Sequence, residues 1–104
     1  MATGKHKTFT LPRTPEEALK RIVLGTQACW SWVDVQSSFN PDARTGRVIA
    51  SVTLGAATST AYIADIAAAA EGAAVSLYTH DRFTETDKLM TAWSAGNFSA
   101  CTLR

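Results

Sequence analysis

The 104-residue sequence predicts an α+β domain: a four-stranded antiparallel meander sheet with two helices packed on one face, in the order α-β-β-β-β-α. Three observations lead there. A capped segment after Thr14 carries apolar residues at helical spacing. Residues 29–80 hold alternating runs separated by short turns. A second helical stripe, Leu89, Met90 and Trp93, follows them. Two helices that each bury one stripe, and a meander with tight turns, pack most simply as two layers.

The elements follow in order. Residues 1–7, with Lys5, His6 and Lys7, read as a polar tail, and residues 8–104 as a single domain. Thr8-Phe9-Thr10-Leu11 has the pattern of a short edge strand ended by Pro12, outside the count of four. Thr14 then caps a helix, Pro15 suits its first position and Glu17 completes a capping box. Ala18, Leu19, Ile22 and Val23 form its stripe, and Gly25 reads as its stop, which gives a helix over 15–24. The first core strand spans 29–37, with Cys29, Val33 and Val35 on one face and Trp30, Trp32 and Asp34 on the other. A turn-rich loop over 40–46 leads to the second strand, 47–55, with Val48, Ala50, Val52 and Leu54 in alternation.

Residues 58–72 admit two readings. As a helix they offer a Ser or Thr cap, an alanine-rich body and Gly72 as a stop. As a strand, Tyr62, Ala64 and Ile66 alternate with Ile63 and Asp65, and a hairpin turn leads into a fourth strand over 73–80. The strand is preferred, against local propensity. Thr84 caps the second helix, Glu85 and Asp87 favour its N-terminal end, and Gly96 ends it. Phe98, Cys101 and Leu103 imply a tail that packs back on the domain.

Composition narrows function by exclusion. Ten Lys and Arg against nine Asp and Glu leave a net charge of +1. That thin footprint speaks against a nucleic-acid partner. Residues 48–64 are uncharged but broken by Gly55 and by Ser and Thr, and a membrane span needs about 20 mostly apolar residues. The N-terminus has a positive start but no apolar run after it, so it does not read as a signal peptide. Dinucleotide, P-loop, zinc-protease and serine-hydrolase motifs find no match, and no cofactor or metal is expected. His80 and Asp81 are neighbours that a strand would point to opposite faces, which is poor placement for a general base. The chain is therefore expected not to be an enzyme.

Two cysteines, Cys29 and Cys101, leave two readings open. They are buried thiols acting as small hydrophobes. Or they form a disulfide tying the C-terminal tail to the first core strand, worth roughly 4 kcal/mol in the chain-entropy model. The disulfide is preferred, because the derived fold brings the two together. The aromatics Trp30, Trp32, Tyr62 and Tyr78, with Asp34, are the candidate binding residues: on strands they suit either core packing or an exposed patch of the kind that anchors protein interfaces. Asp34 and Asp65 each interrupt an apolar strand and are expected on the solvent side.

The run TPEEALKRI, a tryptophan-bearing strand, DARTGRVIASVTL, a hairpin and a helix holding Trp93 together resemble small bacterial envelope lipoprotein domains of helix-grip or TATA-binding-protein-like layout. The resemblance implies a non-catalytic envelope part that binds other proteins, in the periplasm or cell envelope, although no lipobox cysteine stands at the N-terminus. The expectation is a protein-interaction or structural domain whose partner is another protein or a second copy. A small apolar-ligand binder, and a phage or mobile-element inhibitor of a host protein, are the alternatives. A cytoplasmic location is the alternative to the envelope.

Overall fold

The computed structural model describes residues 5–30, 33–79 and 86–98. The elements run β1 (Lys5–Leu11), α1 (Pro15–Cys29), β2 (Asp34–Asn40), β3 (Thr45–Leu54), β4 (Ala57–Ala69), β5 (Gly72–Thr79) and α2 (Thr86–Ser94). All strand pairs are antiparallel, and the sheet order is β1-β5-β4-β3-β2.

The sheet thus has five strands and the order is β-α-β-β-β-β-α, which corrects the four-stranded expectation and removes the layout on which the envelope-lipoprotein resemblance rested. The added strand is β1. Its register, Lys5↔Thr79 through Leu11↔Ala73, takes in Lys5, His6 and Lys7. Phe9 and Leu11 give it apolar contact with the core, and Leu11 is 1% exposed. Lysines in an outermost strand are compatible with pairing on one side only.

The start of α1 is as expected. Thr14 is the N-cap, its Oγ1 accepts from the Glu17 amide at 3.3 Å, and Pro15 follows it. The helix does not stop at Gly25. It continues to Cys29, because the buried stripe of Ala18, Leu19 and Ile22 carries on through Gly25 and Thr26 at the same spacing. Gly25 lies against the Trp93 indole: a Cβ there would sit 2.1 Å from a ring carbon. The glycine is the point of closest approach between α1 and α2, not a terminus. Cys29 is therefore the last helical residue and Trp30 the C-cap, and the strand expected from residue 29 begins only at Asp34.

The ambiguous alanine-rich segment is strand. β4 lies between β3 and β5 with Ala61, Tyr62, Ala64 and Ile66 buried. Burial outweighs alanine's helix preference here: Ala50, Ala64 and Ala73 form a low surface on which α1 can sit close. A bulge between Ala50 and Ser51 leaves Ala61 as the extra residue of β4, and Ala61 and Tyr62 are both buried there. Beyond the bulge, Val52–Thr53–Leu54 and Ala57–Thr58–Ser59 pair only with each other among the described residues.

Both helices cover the face that carries Val48, Tyr62, Ala64, Ile66, Val75 and Leu77, and with Ile22, Met90 and Trp93 these make the core. The helix α2 is pinned at both ends by the N-terminal part of the chain. Lys7 Nζ pairs with Asp87 at 3.2 Å, in the first helical turn. At the other end the Ser94 carbonyl accepts from Arg13 Nε at 2.9 Å and from Arg21 Nη1 at 3.1 Å. Two cations thus meet the negative end of a helix that has no basic residue in its own last turn.

The expected disulfide falls on Cys101, which lies outside the described residues, and no cysteine among the described residues is free. Cys29 is placed by the end of α1, with its Sγ 3.6 Å from the Phe98 carbonyl oxygen.

Candidate interaction surface

The aromatic platform expected on the first core strand is dispersed. Trp30 follows α1 and meets Trp93 edge to face at a centroid distance of 5.8 Å, so it packs between the helices. Trp32 lies outside the described residues, as do His80 and Asp81. Tyr62 is fully buried on the helix side. Its hydroxyl lies 2.6 Å from Thr26 Oγ1, whose single proton goes to the Ile22 carbonyl at 2.8 Å. The phenol must therefore donate to Thr26, and burial pushes its pKa up. Of the expected binding residues that are described, only Asp34 and Tyr78 are exposed.

Tyr78 stands on the helix-free face, 37% exposed, with the His6 imidazole stacked on it at 4.4 Å and 7°. Register explains the stack: His6 and Tyr78 are cross-strand partners in β1 and β5. The stack is hidden from sequence reasoning because His6, beside two lysines and Gly4, has the look of a solvated tail. Beside it runs the row Ser38, Arg47, Asp65, Ser76 and Thr8. Asp65 is on the solvent side as expected, and faces Arg47. The pair is bidentate, at 2.6 and 3.1 Å, and the carboxylate holds the guanidinium above its ordinary pKa. A shallow depression of about 600 Å³ lies over this row. Its charges are already matched to each other, so it offers a ligand no unpaired group of either sign among Arg47 and Asp65.

The two edges of the sheet differ in kind. β1 has the sequence KHKTFTL, with two lysines in its first three residues. β2, sequence DVQSSFN, has no lysine, no proline and no register shift against β3. Asp34, Gln36, Ser37, Ser38 and Asn40 are exposed, while Val35 and Phe39 are half-buried against the core. Such a regular, unguarded edge is a template for main-chain pairing. Over it, on the helix side, Leu19, Lys20, Val23, Leu24 and Ser37 line a groove of about 310 Å³. Leu24, at 53%, is the most exposed large apolar side chain described.

No group of three or more metal-ligating side chains occurs among the described residues, and no helix there is long and apolar enough to cross a membrane. No family model, curated protein or solved structure matches the chain.

Proposed function

We propose that the chain is a non-enzymatic protein-interaction domain that takes its partner by strand addition along β2. The observation that carries this reading is the contrast between the two sheet edges. β1 carries lysine in its sequence, whereas β2 has neither lysine nor proline over its seven residues, pairs on one side only among the described residues, and borders an apolar groove. Main-chain pairing at such an edge supplies affinity, and pockets beside it supply selectivity. The space between sheet and helices is filled by Tyr62, Met90 and Trp93, which favours this reading over an enclosed apolar ligand. The layout that pointed to an envelope is corrected, so the proposal concerns the domain alone.

The test compares a tagged wild-type chain with Ser37→Lys, an exposed site where lysine guards the edge without entering the core. Both are co-expressed with an untagged copy, and captured proteins are quantified by mass spectrometry. The expected result is a defined protein, another chain or the untagged copy, held by wild type and lost with Ser37→Lys. Identical captures by two equally folded baits overturn the reading.

A further inference from the structure

We infer that the partner at the β2 edge is a second copy of the chain, paired antiparallel about a two-fold axis through Ser37. The inference rests on the interaction reading above and adds the occupant and the register. Antiparallel self-pairing about a two-fold axis normal to the sheet sets one residue opposite its own copy. Centring on Ser37 sets Val35 opposite the second copy's Phe39, Gln36 opposite Ser38, and Asp34 opposite Asn40.

Each of these pairs is favourable. Val35 and Phe39 are the two half-buried apolar residues of β2, and they share the helix side of the sheet with Ser37. They become a β-branched–aromatic cross-strand pair, made twice. Asp34 is the only charge in β2, and it meets an amide that can donate to it, so no like charges face each other along the two paired strands. Ser37 meets itself, two small hydroxyl side chains at the one position where bulk would collide on the axis.

The helix layer agrees independently. The axis keeps all four helices of the pair on one side of a continuous ten-stranded sheet. Ser37 is itself a wall of the groove formed with Leu19, Lys20, Val23 and Leu24. A two-fold axis at Ser37 therefore brings the two grooves together, each with its Lys20, and covers Leu24, the most exposed large apolar side chain among the described residues. The β1 edges then form both outer borders of the assembly.

Sedimentation velocity across a wide concentration range reads the stoichiometry, and engineered thiols read the register. Wild type is expected to convert from monomer to dimer as concentration rises. Ser37→Lys, which sets like charges directly opposite, raises the dissociation constant about fivefold. Leu24→Lys, at a side chain outside the core, weakens the dimer in the same direction. For Ser37→Cys, opposed Cα atoms lie about 4.5–5.5 Å apart, inside the disulfide range of about 4.4–6.8 Å. Copper phenanthroline should cross-link this variant into a covalent dimer. Gln36→Cys, whose counterpart lies on the diagonal about 7 Å or more away, should stay at the level of wild type. A wild type that stays monomeric overturns the second copy, and so does a dimer in which Ser37→Cys cross-links no better than Gln36→Cys. If the chain is monomeric while another protein is captured in a Ser37→Lys-sensitive way, the interaction reading stands and only the choice of partner fails. Capture insensitive to that substitution removes both.

Discussion

Replacing Gly25 by alanine in a solvent-facing helix would stabilise the domain by roughly 1 kcal/mol, since alanine is the better helix former. The packing of α1 against α2 predicts the opposite sign. The new methyl carbon would stand 2.1, 2.2 and 2.6 Å from three carbons of the Trp93 indole, where ordinary contact begins at 3.4 Å. Helix or ring must give way by about 1.3 Å. Trp93 is fully buried, and its ring is no flexible chain end, so the shift spreads into Met90 and Tyr62, which are also fully buried. Overpacking of this kind costs about 1–3 kcal/mol and occasionally more. Taking the upper end of that range, because the indole is rigid and buried, and subtracting the helix-propensity gain leaves a net loss for Gly25→Ala of about 2 kcal/mol. For a domain of this length that lowers Tm by about 8–10 °C. Thermal melts by circular dichroism, with urea titrations for the free energy, measure both. A Tm equal to or above wild type would refute the close approach and return Gly25 to a merely permissive position.

Two further outcomes follow from the same core. Tyr62→Phe removes the hydroxyl that donates to Thr26 and should cost about 1 kcal/mol at neutral pH. Because the folded phenol has a raised pKa, its contribution is whole below the ordinary value of about 10 and declines as pH rises beyond it. Urea midpoints should therefore fall above pH 10 for wild type and fall less for Tyr62→Phe; equal alkaline losses would count against a buried phenol. Gly72→Ala places a Cβ 2.2 Å from the Leu11 carbonyl oxygen at a φ of +141°. Strained backbone of this kind costs about 1–3 kcal/mol, and the clash falls on the end of β1, so faster amide exchange in β1 is the signature to measure.

What the sequence made legible was local. Thr14, Pro15 and Glu17 announce the start of α1, and the phase of Tyr62, Ala64 and Ile66 against Asp65 separates the two faces of β4 by alternation alone. What escaped was decided at a distance. Gly25 resembles a helix terminus until Trp93, far along the chain, is seen packed against it. Lys5, His6 and Lys7 resemble a solvated tail until β5 supplies the partner they pair with. Extending α1 to Cys29 moves the start of the next strand from residue 29 to Asp34, and that alone removes Trp30 from the expected aromatic patch. The unguarded β2 edge could not be read from DVQSSFN alone, because whether a strand is outermost is a property of the topology.

The pairing of β1 with β5 sets the timetable of maturation on the ribosome. Of the five strands β1 leaves the exit tunnel first, and it can complete its pairing only after residue 79 has emerged. Helix α1 meets the same delay, since the layer beneath it includes β3 and β4. Until then the nascent chain must carry Phe9, Leu11 and Ile22 uncovered, and its contacts span large sequence separations of the sort that slow folding. The domain should therefore close only once β5 is available, and a chain cut short within β5 would have no stable nucleus.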